Sequence, residues 1–177
     1  MKKYLGFFAG VLLASQPVMA FEFDQENVYG GAGLSSNGMD VTGADVSRAI
    51  GWQIFAGYDL EDVELADDLS TAIEVGYMTS GDFEYTTAST TILGVTVPGT
   101  TVKLGSVDGL WATGVFTYPV ADQVEVLGRI GLDFGDDDGL MYGFGGSYQL
   151  NDQIDVRAEY VLRDNTNSLQ LNAVYRF

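Results

Sequence analysis

Residues that commonly carry catalysis are scarce in this chain of 177 amino acids, which contains no histidine and no cysteine. Without histidine, the usual general base for a serine or water nucleophile is missing. Zinc and other soft metals lack their preferred ligands. The 25 acidic residues outnumber the 8 basic ones, which disfavours binding to a phosphate backbone. We therefore predict a protein that is not an enzyme, carries no cofactor and binds no nucleic acid.

The acidic run Asp136, Asp137 and Asp138 is the one candidate for cation binding. With the glycine that follows it, this run resembles part of an EF-hand loop, but the first and last ligand positions would fall on Phe134 and Gly145. A looser Ca²⁺ or Mg²⁺ site with oxygen ligands stays open. A solvated acidic turn is the simpler interpretation.

Charged and apolar residues alternate in the segment before the last. Asp155, Arg157 and Glu159 share one side of this segment, and apolar residues occupy the other side. Alternation with a period of two is typical of a β-strand with two different faces. The same pattern places Arg129 and Glu74 opposite apolar neighbours in two earlier segments.

Residues 1–20 have the three parts of a secretory signal peptide. Lys2 and Lys3 give a positive start, residues 4–14 are largely apolar, and Ala20 offers a small residue at the cleavage point. The segment is too short for a membrane-spanning helix. We therefore expect a signal peptide at residues 1–20 and one exported domain at residues 21–177.

Eight alternating segments follow, separated by residues typical of turns. Each is about as long as the roughly 9–11 residues with which a tilted strand crosses a bilayer. They predict an all-β fold, an eight-stranded antiparallel up-and-down transmembrane β-barrel with both chain ends on the periplasmic side. The predicted strands are residues 27–35, 49–58, 71–80, 107–118, 124–134, 139–150, 153–163 and 168–177.

The connections between these strands are expected to alternate between the two ends of the barrel. Residues 59–70, 119–123 and 151–152 would be periplasmic, whereas residues 36–48, 81–106, 135–138 and 164–167 would face outward. Pro119 suits a turn because it cannot donate to a strand ladder. Aromatic residues at the periplasmic level predict an interfacial girdle, and these are Tyr58, Tyr118, Tyr148, Tyr175 and Phe177.

The charged faces are predicted to line the lumen, because Arg or Lys costs roughly 2–4 kcal/mol on the lipid face at mid-bilayer. We also expect Gln53 inside the second strand, and Trp111 and Thr113 inside the fourth, where the opposite facing stays open. The lipid-facing residues of these two strands would be Trp52, Ile54, Ala56 and Tyr58, then Leu110, Ala112, Phe116 and Tyr118.

Four lumen charges fall at similar heights if each strand begins at its periplasmic turn: Glu74, Arg129, Arg157 and Glu159. An eight-stranded barrel has an interior only wide enough for its own side chains. Because an unpaired buried charge is costly, these four residues are predicted to form an ion-pair network. The network would act as a plug, with a gate as the alternative.

Four short motifs carry a family resemblance. They are Val28-Tyr29-Gly30-Gly31-Ala32-Gly33, Phe55-Ala56-Gly57-Tyr58, Glu74-Val75-Gly76-Tyr77 and Ala173-Val174-Tyr175-Arg176-Phe177. With these motifs the chain resembles small eight-stranded outer-membrane barrels of the OmpA/OmpX type, whose members serve as anchors, adhesins, narrow pores or enzymes. The resemblance implies an integral outer-membrane protein of a Gram-negative bacterium, in contact with membrane lipid and lipopolysaccharide.

The last ten residues also alternate and end on an aromatic side chain. Tyr175 and Phe177 resemble the signal that the bacterial barrel-assembly machinery reads in a last strand. Because nothing follows Phe177, we expect no peptidoglycan-binding domain of the kind that longer OmpA-like proteins carry.

The long connection from Gly81 to Ser106 is the one segment that a barrel does not need. It is rich in Thr, Val and Ile, which favour extended strands, and residues 97–100 read as a turn around Pro98. We predict a β-hairpin above the membrane that binds an extracellular partner, with a loop covering the barrel mouth as the alternative. The predicted partner-binding residues are Thr86, Ile92, Val95, Val97 and Lys103.

Two functions remain after an enzyme is ranked last. The favoured one is a structural or adhesive outer-membrane barrel whose outward loops meet partners. The alternative is a narrow, low-conductance, porin-like channel that the lumen ion pairs gate.

Overall fold

The computed structural model describes residues 24–39, 46–61, 63, 65–92 and 95–177. The predicted signal peptide lies outside the described residues. A 3₁₀ turn at Gln25–Asn27 precedes thirteen strands. The strands are β1 (Val28–Met39), β2 (Val46–Ser47), β3 (Ala49–Asp59), β4 (Ser70–Thr79), β5 (Phe83–Thr86), β6 (Thr90–Ile92), β7 (Val95–Val97), β8 (Thr101–Gly105), β9 (Asp108–Ala121), β10 (Val124–Gly135), β11 (Gly139–Asn151), β12 (Ile154–Leu162) and β13 (Thr166–Arg176).

Eight of these strands form a closed antiparallel barrel in the order β1-β13-β12-β11-β10-β9-β4-β3. Strand β1 pairs on one side with β3 and on the other with β13, so the first and last barrel strands close the wall. The predicted eight-stranded up-and-down barrel is confirmed. Within the described ranges, no helix has the length and apolar character needed to span a membrane.

The barrel wall has an apolar outside and a polar inside. In β12, the side chains at odd positions from Asp155 to Val161 are buried in the lumen, as the alternation predicts, and so is Arg163 directly after the strand. The facing of the second and fourth predicted strands is also as predicted. Gln53, Trp111 and Thr113 are buried inside, whereas Trp52 and Leu110 are exposed outside.

Pro119 does not lie in a turn as predicted. Strand β9 runs on to Ala121, and Pro119 lies opposite Glu125 of β10. A register shift between Val124 and Glu125 marks an irregularity in that ladder, where a residue without an N–H is tolerated. The connection is shortened to Asp122 and Gln123, and Gln123 adopts a positive φ of 64°.

The long connection forms two small sheets outside the barrel. Strands β2, β5 and β8 pair in that order, and we call them the outward sheet. Beyond it, β6 and β7 pair as a hairpin. The predicted hairpin is therefore present, but its predicted turn at residues 97–100 is wrong. Val97 ends β7, where it pairs with Thr90 of β6, and residues 98–100 connect β7 to β8. Thr87 N donates to Thr100 O at 3.1 Å.

Candidate functional site

Glu74 is the centre of the lumen network. Its side chain is 0% exposed, and it lies 3.1 Å from Arg129 Nη2 and 2.5 Å from Arg157 Nη1. Arg129 Nη2 also lies 2.5 Å from Glu159 Oε2. The structure thus brings together all four residues that the sequence nominates, with two positive and two negative charges.

Three different strands position this network. Glu74 projects inward from β4, Arg129 from β10, and Arg157 and Glu159 from β12. Strands β4 and β12 lie on opposite sides of the barrel order, so Arg157 spans the lumen to reach Glu74. An interior this narrow lets facing walls bond directly.

Neutral side chains complete the central layer. Gln53 was expected inside the barrel, whereas Tyr29, Gln170 and Asn172 were not nominated from the sequence. The Tyr29 hydroxyl donates to Glu74 Oε1 at 2.8 Å, and Asn172 Nδ2 donates to Glu159 Oε1 at 2.9 Å. Gln53 Nε2 donates to Asn172 Oδ1 and to Gln170 Oε1. The polar alternation of the last strand signals Gln170 and Asn172, whereas the glycines around Tyr29 obscure its facing.

Both central arginines also lie over aromatic rings. The Arg129 guanidinium carbon is 5.3 Å from the Trp111 ring centroid, and that of Arg157 is 5.2 Å from the Tyr29 centroid. A guanidinium over a ring face gains a cation–π attraction that strengthens when water is excluded. These contacts add a second partner to each central guanidinium, beside the carboxylates that it meets.

A second polar layer of buried side chains crosses the lumen at the end away from the chain termini. Arg163 Nε donates to Asp133 Oδ2 at 2.7 Å, and Arg163 Nη1 donates to Ser168 Oγ. Ser168 then donates to Asn37 Oδ1 at 2.6 Å, and Asn37 Nδ2 donates to Ser80 O. This chain of bonds joins Arg163, directly after β12, to β10, β13 and β1, and it ends at Ser80, directly after β4.

The lumen contains a cavity at the end that carries the chain termini. A cavity of about 470 Å³ lies there, with Tyr29 and Arg157 among the residues at its inner boundary. Arg176 lines it and donates to Asp59 Oδ2 at 2.6 Å and to Asp155 Oδ2 at 3.2 Å. We call this cavity the vestibule. It ends where the central network begins.

The acidic turn was nominated for cation binding, but its carboxylates accept hydrogen bonds from within the protein. Asp137 is 2% exposed and accepts from Asn165 N, Asn165 Nδ2 and Thr166 Oγ1. Asp136 Oδ2 accepts from Asp108 N at 3.0 Å. In the part of the chain that the structure describes, no three acidic side chains converge as a metal site would require. Asp137 ties its turn to the connection between β12 and β13.

The nominated partner-binding residues lie on the outward sheet and on the β6–β7 hairpin. Thr86 and Lys103 belong to β5 and β8, and Lys103 Nζ lies 3.3 Å from Asp82 Oδ2. Val95 and Val97 of β7 are 66% and 54% exposed. Ile92 ends β6, opposite Val95. The structure therefore presents these residues outside the barrel on paired strands.

The nominated assembly residues lie at the other end. Tyr175 and Phe177 stack edge to face with ring centroids 5.3 Å apart, and both are exposed on the outer wall. Tyr118 and Tyr148 are also exposed at that end, as the predicted girdle requires.

Comparisons with known proteins agree with this architecture. A model of the outer membrane protein β-barrel domain matches residues 6–177. Among solved structures, a barrel from the de novo design of transmembrane β-barrels is similar, with a TM-score of 0.53 and 14% identity over 88% of this chain and 99% of its own. Ail, the attachment invasion locus protein of Yersinia pestis, gives a TM-score of 0.52 and 14% identity over 85% of this chain and 97% of its own. No curated protein sequence matches.

Proposed function

This chain belongs to the outer membrane protein β-barrel domain family, which places it in the outer membrane, and from that premise we propose that it is a non-enzymatic anchor for an adhesive extracellular surface. One contrast carries the proposal. Bonded side chains fill the lumen, whereas exposed apolar side chains stand on the outward sheet. Attachment is also part of the name of the similar barrel from Yersinia pestis.

The outward sheet has two different faces. Register places Val46, Tyr85 and Val102 in one row across the three strands. The adjacent row holds Ser47, Glu84 and Lys103. Because neighbouring residues of a strand point to opposite faces, one face is apolar and the other is polar.

The apolar row is extended by Leu104. Val102 and Leu104 are 47% and 49% exposed, so the fold leaves a large part of both side chains uncovered. Apolar residues concentrated on one exposed face indicate an interaction site. Among the described residues, β8 pairs with β5 alone, and its other edge is free to add a strand of a partner.

A narrow channel is the second candidate, and the vestibule supports it. This cavity supplies a water path for part of the barrel length. Conduction would require the bonds from Glu74 to Arg129 and Arg157 to break, since both guanidinium groups lie across the path. Breaking buried ion pairs is costly, which favours a plug.

Attachment of cells that display the protein tests the adhesive role. We expect Val102→Asp and Leu104→Asp to lower attachment to a cultured epithelial monolayer at least tenfold. Thr101→Asp is the matched control, because it adds the same charge to the same strand within the polar face, and it should stay within twofold. Equal attachment by all variants at equal surface amounts, checked by heat-modified gel mobility, would remove the outward sheet from the function.

Single-channel recording in a planar bilayer tests the second candidate. A plugged barrel gives a folded but silent protein. Discrete conductance steps that change in Arg129→Ala or Glu159→Ala would instead favour the gated channel.

A further inference from the structure

Two cations stand on the extracellular part of the protein. Six basic residues follow residue 20, and four of them, Arg129, Arg157, Arg163 and Arg176, form ion pairs inside the barrel. The other two are Arg48 and Lys103. Lys103 is neutralised by Asp82 and Glu84 at 3.3 and 4.0 Å. Arg48 forms no ion pair with any residue that the structure describes.

The Arg48 guanidinium lies on the outer wall, where strands β1 and β13 close the barrel. Its Nε donates to Ser36 Oγ at 2.9 Å, its Nη1 donates to Asn167 Oδ1 at 3.0 Å, and its Nη2 donates to Ser36 O. Gly38 lies beneath, and a Cβ there would come within 2.9 Å of Nη1. A built site of neutral acceptors thus holds the cation in place.

Arg48 still has hydrogen-bonding capacity in this site. A guanidinium carries five N–H groups in a fixed planar arrangement, and three bonds to Ser36 and Asn167 leave two for another acceptor. The geometry of Arg suits two oxygens of a phosphate group. An anion of that kind would neutralise the charge that the neutral partners leave uncompensated.

An apolar groove of about 360 Å³ runs down the wall directly below Arg48. Leu34, Ile50, Leu169 and Leu171 form its sides, and the small residues Ser36 and Ala158 leave the gap between them. Ser36 belongs both to the groove and to the Arg48 site. The cation therefore caps the upper end of the groove.

The height of Arg48 matches the membrane interface. Ten residues separate it from Tyr58 of the periplasmic girdle, and at about 3.3 Å per residue and a tilt of roughly 40° this is about 25 Å along the barrel axis. The apolar band of such barrels is also about 25 Å tall. Arg48 thus lies at the headgroup level of the outer leaflet, and the groove lies among the acyl chains.

We propose that Arg48 and the groove below it bind one molecule of the phosphorylated lipid anchor of lipopolysaccharide. The phosphate lies on the two free guanidinium N–H groups, and one acyl chain fills the groove. Two observations support this occupant. The site faces the outer leaflet, and Arg48 has only neutral partners among the described residues, so an anionic headgroup supplies the missing negative charge.

Native mass spectrometry of the refolded protein with added purified lipid A tests this site. The wild-type protein should retain one lipid, and Arg48→Gln should lower retention at least tenfold. Lys103→Gln is the matched control, because it removes the other extracellular cation, and retention should stay within twofold. Dephosphorylated lipid A should be retained at least tenfold less than the phosphorylated form.

A second pair of variants tests the groove without touching the cation. Ala158→Phe fills the gap and should also lower retention severalfold, whereas Ala56→Phe adds the same bulk to the lipid-facing wall of β3 and should not. Equal retention by Arg48→Gln and the wild type would overturn the proposal. Equal retention of phosphatidylglycerol and lipid A by the wild type would overturn the choice of the glycolipid.

Discussion

Glu74 in the lumen and Glu84 in the outward sheet lie ten residues apart and show how differently one chain uses the same side chain. Glu74 is 0% exposed and accepts from Tyr29, Arg129 and Arg157. The side chain of Glu84 is 46% exposed and lies 4.0 Å from Lys103. The lumen charge is fixed by several short bonds, whereas the outward charge is solvated.

The difference bears on how much each region contributes to the stability of the barrel. Removing a partner from a buried network leaves an uncompensated charge, so the lumen tolerates little change. Exposed pairs contribute little, so the outward sheet can change without loss of the barrel. Residues of the outward sheet can therefore vary while the lumen network stays constant. Four measurements can break or sharpen this contrast.

Glu74→Gln should have the largest effect. It removes the carboxylate that Arg129 and Arg157 share, and breaking a buried pair on one side costs about 3–5 kcal/mol. Urea unfolding in lipid vesicles, followed by heat-modified gel mobility, measures the loss. Glu125→Gln makes the same change at a half-buried lumen-facing position and should cost less than about 1 kcal/mol. Equal losses would contradict a special role of the network.

Gly131→Ala should cost about 1–3 kcal/mol, because the added methyl has no space. A Cβ at Gly131 would meet Ala112 O at 2.0 Å and Thr113 Cα at 2.6 Å, which are backbone atoms that cannot turn away. Gly128→Ala is the control in the same strand, since the nearest atom there is Gly143 O at 3.9 Å. Unfolding midpoints of the two variants should differ clearly, and matching midpoints would show that the wall shifts freely.

Replacing residues 88–99 by Asn-Gly should change barrel stability by less than about 1 kcal/mol. Thr87 and Thr100 already pair, so a two-residue type I′ turn can close β5 and β8. Shortening a loop changes its closure entropy only slightly. The same urea titration measures this, and a fall of several kcal/mol would mean that the β6–β7 hairpin helps to hold the barrel.

Lys103→Gln should have the smallest effect, below about 0.5 kcal/mol, because exposed ion pairs contribute little. The side chain of Lys103 is 68% exposed, and its pairing with Asp82 is screened by salt. Unfolding in low and high salt measures the residual contribution. A loss comparable to that of Glu74→Gln would end the distinction between the two regions.

The local pattern of residue types was enough to predict the side-chain facing of most of the barrel wall. The period of two in β12 predicts which side chains enter the lumen, and the facing of Glu74 and Arg129 follows from the same rule. Pro119 was misplaced because a local irregularity in the ladder, which cannot be read from residue types, lets the strand continue past a proline. The hairpin turn was misplaced because Pro98 and Gly99 have the residue types of a turn but lie between β7 and β8. Each of these strands pairs with a different partner, β7 with β6 and β8 with β5.

The sequence by itself determined the class of fold, the number of barrel strands and which face of each strand is polar. These properties depend on residue alternation and on the free-energy cost of placing charge in lipid. Only the tertiary structure decided which charges meet and which stay free. Arg157 donates to Glu74, which lies 83 positions earlier in the chain. Arg48 donates to Asn167 across the strands that close the barrel. Contacts of this kind depend on barrel closure and strand register, which bring distant residues to one height and have no local signature.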